Sequence, residues 1–428
     1  MIKITILILL YFAFPLVIIY LCKRWSILKK LGSIVLAYGF GLILGSIGVL
    51  PEGSNAYQLA LQGQLSLPKK EAEALLASGT ISENDIYVNS IAIIQDNLSS
   101  IGVMIAFPLL LFSLNIRKWL RFAKEGFISM ILALISVVTI VTTGYFIFRD
   151  LVPDSWKVAG MLVGVYTGGT PNLVSLKVAL GVDPNLFLMT STYDMIVGAV
   201  TIIFFITAGP RIFRAILPPF KHADDSAIET SEALAEAESF EDFSGMFNKE
   251  RLLPLVKALG VAILIFAVSY GASSIEWLNL NSETKKIFII LAITTLSILG
   301  SLISWLNRIE KTFQLGMYFI LVFSFAIASM ADLRAIFNIG FLGLFLYITY
   351  AYFGTLFLHI ILSKIFRVNA DDFLITTTAF VFSPPFVPVV AGALKNKDVI
   401  ITGITVGIIG YVIGNYLGVG LGYFLKGF

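Results

Sequence analysis

A polar, helix-breaking cluster stands inside an apolar stretch, residues 163–176, whose sequence is VGVYTGGTPNLVSL. The members of the cluster are Thr167, Gly168, Gly169, Thr170, Pro171 and Asn172. Glycine adopts backbone dihedrals that other residues avoid, and proline lacks an amide hydrogen yet readily begins a helix. The cluster therefore predicts a helix that is interrupted at the two glycines and starts again at the proline.

A second cluster of the same kind lies near the C-terminal end, within VFSPPFVP at residues 381–388. Ser383 precedes Pro384 and Pro385, and Pro388 follows about one turn later. Three prolines at this spacing almost exclude a continuous helix. The alternative interpretation of either cluster alone is a proline kink with glycine packing, which membrane bundles tolerate.

Interrupted helices expose main-chain groups that can bind a ligand. In hydrocarbon, an amide or carbonyl group without a partner costs several kcal/mol, so a break persists only inside protein or beside a wet cavity. A helix N-terminus offers amide hydrogens and partial positive charge to an anion, whereas unwound carbonyls suit a cation. Two breaks at matching places therefore predict a substrate or ion site.

An acidic residue and an amide inside apolar segments are further candidates for this site. Asp194 lies in LMTSTYDMIVGAV, where a carboxylate is costly. It could bind sodium together with hydroxyl and carbonyl oxygens, carry a proton, or lie solvated near a helix end. Asn415 stands amid Gly410, Gly414 and Gly418, a spacing typical of helix packing, and its amide is a second candidate ligand.

The composition predicts an all-α, multi-pass membrane protein. Hydrophobic residues make up 57% of the 428 positions and charged residues 13%, against about 25% in soluble domains. Apolar runs long enough to span a bilayer recur, and they are continuous, which favours helices over a barrel. The net charge of +3 does not indicate nucleic acid, so we expect the bilayer and a small solute as partners.

The residue types offer little for catalysis. One cysteine and two distant histidines cannot form a zinc-type cluster, and the motifs HExxH, GxSxG and DDxxD are absent. We therefore expect no enzymatic activity. We also expect no cofactor other than a coupling sodium ion or proton, with Asp194 as the candidate sodium ligand.

The apolar runs predict twelve membrane spans. Their approximate bounds are 4–22, 32–50, 87–114, 127–148, 157–180, 185–209, 254–271, 286–303, 314–330, 341–362, 374–394 and 399–425. We divide the chain into a first repeat, 1–209, an acidic flexible linker, 210–253, and a second repeat, 254–428. The linker has no Lys or Arg between Lys221 and Lys249, which is typical of a solvated tether.

Matching segments indicate an internal duplication. Pro171 aligns with Pro385, and the Ala-Leu pair at 179–180 aligns with the pair at 393–394. A long apolar span follows in each case. Many secondary transporters are built from such repeats and hold their substrate where the repeats meet.

Loop charge disagrees with the span count by one crossing. The cationic loops at 23–30 and 117–124, together with both ends of the linker, are typical of the cytoplasmic side. Six crossings from an outside N-terminus would instead leave the linker outside. A miscounted segment would explain the disagreement, and the overlong 87–114 is the first suspect.

The motif around the first cluster resembles the YjcL-like family of membrane proteins of unknown function. The residues that carry the resemblance are Gly168, Gly169 and Asn172, then Ala179-Leu180-Gly181, then Asp194, Val197 and Gly198. The chain departs from the family pattern at Thr170 and Pro171, where small and flexible residues are usual. More distantly, the plan is similar to the cation/proton antiporter and anion transporter superfamily. This likeness implies inverted repeats and a pair of discontinuous crossing helices.

The sequence thus predicts a secondary active transporter with alternating access. We expect it to carry a small, anionic solute coupled to sodium or protons, in a bacterial cytoplasmic membrane. The alternatives are a channel, a scaffold or a membrane-embedded enzyme. The sequence is also compatible with a homodimer.

Overall fold

A computed structural model describes most of the chain. The described residues are 4–25, 28, 32–61, 66–114, 116–220, 240, 242–246, 248–330 and 342–428, with side chains for all but 116–125 and 277. The middle of the predicted linker, 221–239, lies outside these residues. Within the described parts the regular structure is helical, which confirms the predicted all-α class.

Eighteen α-helices are named here in chain order. They are α1 Ile4–Arg24, α2 Ser33–Ser46, α3 Asn55–Leu61, α4 Lys69–Ala77, α5 Glu83–Phe112, α6 Ile116–Phe148, α7 Ser155–Gly168, α8 Thr170–Leu180, α9 Pro184–Ile206, α10 Gly209–Ile216, α11 Lys249–Ser273, α12 Ser282–Ser301, α13 Ser304–Asn307, α14 Thr312–Ala328, α15 Leu342–Ile365, α16 Ala370–Phe382, α17 Val387–Leu394 and α18 Val399–Lys426. Short 3₁₀ turns cover Glu276–Leu278 and Pro384–Phe386.

Among the described residues, eight helices are long and apolar enough to cross a membrane. They are α1, α5, the part of α6 from Gly126 to Phe148, α9, α11, α12, α15 and α18. Shorter apolar helices include α2 and α14. The sequence predicts twelve spans, whereas the described residues contain eight helices of sufficient length. Two of the predicted spans, 157–180 and 374–394, are each divided between two helices.

Two compact units divide the chain. The first comprises Met1–Ala106, Val182–Met189 and Met317–Ile339, and the second comprises Phe107–Gly181, Thr190–Gly316 and Gly340–Phe428.

Buried polar contacts join helices within the first unit. Gln95 on α5 donates to the Tyr11 hydroxyl on α1 at 2.7 Å, and that hydroxyl lies 2.7 Å from Oγ of Ser329. Such a network is stable in an apolar core only when its members satisfy one another. The described parts of the polar connection, 51–61 and 66–82, pack together around a small core that includes Tyr57.

The glycines of α18 let neighbouring helices of the second unit approach closely. A Cβ atom on Gly410 would overlap the carbonyl oxygen of Thr167, and one on Gly418 would lie 2.7 Å from the carbonyl oxygen of Gly160. Nearer the start of α18, a Cβ on Gly407 would lie 2.5 Å from the Pro384 ring. This face confirms the packing role that the glycine spacing predicts.

We expect Gly410→Ala to destabilise the protein by about 1–3 kcal/mol, because the added methyl group has no room against backbone. Gly420→Ala on the same helix is the matched control, since a Cβ there meets no atom within 4 Å. Thermal unfolding midpoints of the purified variants in detergent measure the difference. Equal midpoints for the two variants would contradict this packing.

Candidate functional site

Helices α7 and α8 form a hairpin, named hairpin 1 (155–180), because the second helix runs back along the first. The Nζ atom of Lys157, near the start of α7, donates a 3.2 Å hydrogen bond to the carbonyl of Gly181, just past the end of α8. Farther in, a Cβ on Gly160 would lie 2.7 Å from the Leu180 side chain. Both ends of hairpin 1 are therefore close together.

Helices α16 and α17 form a second hairpin, named hairpin 2 (370–394). The Nδ2 atom of Asn396, just past α17, donates a 2.9 Å hydrogen bond to Oδ2 of Asp371 in the first turn of α16. The tip residue of hairpin 1 is Gly169, with φ 72°, and that of hairpin 2 is Ser383, with φ 78°. At both tips the chain reverses its direction.

The sequence predicts that each interrupted segment continues across the membrane, and the reversal shows that this is wrong. Apolar content marks where a helix breaks but not the direction it takes afterwards. The 14 residues of α7 rise about 21 Å, more than half of a hydrocarbon core of about 30 Å and less than the whole. Segment 87–114, the first candidate for a miscounted span, lies in the single helix α5 as far as Phe112. The disagreement in the span count therefore does not come from this segment.

The two hairpin tips touch. A Cβ atom placed on Gly169 would overlap Oγ of Ser383 and would lie 3.0 Å from its Cβ. Gly169 therefore has to be a glycine for two reasons, its backbone conformation and this contact. The two predicted interruptions are therefore in contact with each other.

The hairpins reach this contact from opposite ends of α18. At its N-terminal end, the amide of Asp398 donates a 3.1 Å hydrogen bond to Asn396, at the base of hairpin 2. At its C-terminal end, Nζ of Lys426 lies 4.8 Å from the centre of the Trp156 ring, at the base of hairpin 1. The 28 residues of α18 rise about 42 Å, enough to connect the two faces of a bilayer.

The tip residues share a backbone conformation that is essentially restricted to glycine. Gly169 has ψ −162° and Ser383 has ψ 163°, both combined with φ between 70° and 80°. A side chain in this region stores strain of about 1–3 kcal/mol, which persists only where the surroundings enforce it. Ser383 therefore marks the tip of hairpin 2 as a turn that its surroundings hold in a strained conformation.

Asn172, in the first turn of α8, has an unused acceptor at the tip of hairpin 1. Its Nδ2 atom donates a 3.0 Å hydrogen bond to the carbonyl of Gly410, while its Oδ1 atom is buried without a hydrogen-bond partner in the described structure. An unpaired buried acceptor is costly. The arrangement leaves one buried amide oxygen that can still accept a hydrogen bond or contact a cation.

The amide of Asn415 is already engaged on both sides. Ser175 donates to its Oδ1 atom, and its Nδ2 atom donates to Thr294 on α12 at 3.1 Å. These bonds fasten α8 to α18 and α12 within the second unit. Its assignment as a ligand stays a prediction.

Asp194 on α9 lies beside the last turn of α7. Its Oδ1 atom is buried and has no hydrogen-bond partner among the described residues. The hydroxyls of Tyr166 on α7 and Tyr352 on α15 lie within electrostatic range of the carboxylate, and the two rings pack edge to face with centroids 5.4 Å apart. Neither hydroxyl makes a well-formed hydrogen bond in the described structure.

Most of the predicted site residues come together in this region. Thr167, Gly168, Gly169, Thr170, Pro171 and Asn172 form the tip of hairpin 1, and Ser383, Pro384 and Pro385 form that of hairpin 2. Asp194 connects to them through Tyr166, which precedes the tip by three residues. The sequence analysis did not single out either tyrosine, because aromatic residues are common throughout this apolar chain and make up 13% of it.

Within the described residues, these features define a helical integral membrane protein with two helical hairpins whose tips meet inside the second unit. The chain belongs to the family described as Protein of unknown function (DUF819), whose model matches residues 78–428. The matched region contains both hairpins and Asp194.

A curated relative agrees with this assignment. The chain is similar to the protein named Uncharacterized membrane protein YjcL of Bacillus subtilis (strain 168), with 24% identity over 341 residues. The similar region covers 78% of this chain and 84% of the relative. The resemblance to the YjcL-like family and the multi-pass membrane location are thereby confirmed.

We expect Ser383→Gly to be more stable than Ser383→Ala by about 1–2 kcal/mol. Both variants lose the hydroxyl group, but only glycine relieves the backbone strain at φ 78°. Thermal unfolding of the two purified variants measures the difference. A Ser383→Ala protein as stable as Ser383→Gly would show that the tip is unstrained.

Proposed function

We propose that this protein is a secondary active transporter that moves a small, anionic solute by alternating access, coupled to protons or sodium. The observation that carries the proposal is the contact between the tips of two re-entrant hairpins, next to a buried, unpaired acceptor on Asn172. Irregular backbone at membrane depth is tolerated where it lies inside protein or lines a cavity. In secondary transporters, such backbone coordinates the substrate and its coupling ion.

The proposed topology has ten crossings and two inverted repeats. Helices α1, α2, α5, α6 and α9 cross in the first half, and α11, α12, α14, α15 and α18 cross in the second. Each half also contains one hairpin, placed between its fourth and fifth crossing. Because five is odd, the second half enters the membrane with the opposite orientation, as an inverted repeat requires.

Loop charge supports this topology. With a hairpin counting as no crossing, the cationic segments at 23–30 and 117–124, the latter in the first turns of α6, and the linker all fall on one side, which the positive-inside rule makes cytoplasmic. The base of hairpin 1 then faces outward, and the base of hairpin 2 faces the cytoplasm. Movement of one hairpin or the other would open the tips to one side at a time.

The tips favour a small anion. Helices α8 and α17 begin at or next to the tips, so their N-terminal partial positive charges point toward the contact. The prolines at 171, 384 and 385 remove amide donors but fix the backbone for the helix that follows. The acceptor on Asn172 would bind a donor group of the solute or a coupling cation.

Asp194 is the proposed carrier of the coupling ion. A permanent negative charge beside an anion site would repel the solute, so a proton or sodium ion on this carboxylate would favour solute binding. The closed contact between the tips fits alternating access better than an open channel. The chemistry at the tips is binding chemistry, and we propose no enzymatic step.

We expect Asp194→Asn to abolish gradient-driven accumulation of the solute in proteoliposomes. A pH gradient of one unit supplies about 1.4 kcal/mol, enough for a tenfold accumulation with one proton. The assay screens radiolabelled small carboxylates under imposed pH or sodium gradients. The variant should only equilibrate its solute, because a neutral amide cannot take up a proton and attracts sodium far less than a carboxylate does.

Asp150→Asn is the matched control, since Asp150 is an exposed aspartate at the end of α6. It should accumulate solute as the parent protein does. Gradient-driven accumulation that survives Asp194→Asn would refute the coupling role. Conductance that needs no gradient coupling would favour a channel instead.

A further inference from the structure

One arginine holds both ends of hairpin 2. Arg214 on α10 donates from Nε to Oδ1 of Asp371 at 2.8 Å and from Nη2 to Oδ2 at 2.7 Å. Its Nη2 atom also donates a 2.8 Å hydrogen bond to the carbonyl of Leu394. Asp371 lies in the first turn of α16 and Leu394 ends α17, so a single guanidinium group joins the two arms.

Further hydrogen bonds and burial support the ion pair between Arg214 and Asp371. The side chain of Asp371 is 2% exposed, and Asn396 donates a further hydrogen bond to its Oδ2 atom. The chain after α10 is also attached to the hairpin, because Ala370 donates its amide hydrogen to the carbonyl of Pro218 at 3.0 Å. A bidentate arginine–carboxylate pair of this kind is strong and directional.

The base of hairpin 1 is held together by different contacts, which Lys157 makes. Lys157 stands twelve residues before its tip residue, as Asp371 does before Ser383. Lys157 bonds to Asp154 at 2.8 Å and to the carbonyl of Gly181, both within its own hairpin or next to it. Hairpin 2 is instead fastened by a residue from a separate helix. The two hairpins therefore differ in what must break before they can open.

The Arg214 side chain is exposed to solvent, whereas the Asp371 side chain is buried, and this difference would allow the ion pair to be released. The Arg214 side chain is 45% exposed, so it can exchange its protein partners for water. Asp371 has no such access while hairpin 2 is closed. A buried carboxylate that loses its partner is strongly unfavourable, so loss of Arg214 should drive the base of the hairpin open until water reaches Asp371.

We propose that Arg214 is a positioning residue, a latch that fixes the base of hairpin 2 to α10, and that release of this latch opens hairpin 2 toward the linker side. The evidence for the latch is the set of contacts that Arg214 on α10 makes with α16 and α17. Its consequence for access to the tips rests on the proposed transport function.

The test measures how well a buried position on hairpin 2 is protected. The chain has one cysteine, Cys22, so Cys22→Ser gives a cysteine-free background. In it, Ala391→Cys places a thiol on α17 at a position that is 1% exposed. The rate of labelling by a membrane-impermeant maleimide is measured in inside-out vesicles. Adding Arg214→Ala should raise this rate at least tenfold, whereas Arg211→Ala, at an exposed arginine on the same helix, should leave it unchanged.

Two further variants separate the latch from general unfolding. Val163→Cys reports on hairpin 1, where the parent residue is fully buried, and its labelling should not respond to Arg214→Ala. The exchange of charges in Arg214→Asp with Asp371→Arg should restore part of the protection at position 391. Unchanged labelling at 391 in Arg214→Ala, or an equal rise at 163, would overturn the proposal.

The labelling needs no solute, so its outcome is independent of the transport assay. If Arg214→Ala exposes position 391 while no solute is accumulated by the parent, the latch stands and the transport function fails. If Asp194-dependent accumulation is found while position 391 stays protected, the function stands and the latch fails.

Discussion

A membrane interior offers no water to a broken helix, and this constraint governs the second unit of the protein. Each hairpin tip bonds within its own turn, from the Gly169 amide to the Val165 carbonyl and from the Phe386 amide to the Ser383 carbonyl. The two tips then pack against each other beside the glycine face of α18, where protein surrounds the irregular backbone. Gly407 and Gly410 bring α18 close enough for the Pro384 ring and the Thr167 carbonyl to pack directly on its backbone. Larger residues at these positions would force the tips away from the helix that shields them.

Several features of this arrangement could be predicted from the sequence. Glycine and proline mark both breaks, and the alignment of Pro171 with Pro385 gives the register in which the tip residues Gly169 and Ser383 correspond. Their nearly identical backbone conformations agree with that register. The direction of the chain after each break could not be predicted, because apolar content and helical period are the same for a straight helix and for a hairpin arm. The span count failed for that reason, and the contacts of Lys157 and Asn396 supply the missing information.

The side chains of the site divide into those with partners and those without. Asn415 and Ser175 satisfy each other, as the buried location of both demands. Asn172 and Asp194 each retain an oxygen without a partner in the described structure. Under the proposed function, these two oxygens would bind a solute and a coupling ion. The tyrosines beside Asp194 were beyond the sequence interpretation, since their roles depend on contacts between α7, α9 and α15 that no local pattern records.

The central claim is that both interrupted segments are hairpins that enter from opposite faces of the membrane. Single cysteines in the Cys22→Ser background test it at four exposed positions, 154 and 181 beside hairpin 1 and 367 and 395 beside hairpin 2. Labelling with an impermeant maleimide is compared between right-side-out and inside-out vesicles. The account predicts that 154 and 181 react from the outer face and that 367 and 395 react from the inner face. Reaction of 154 and 181 from different faces would show a segment that crosses the membrane and would contradict the account.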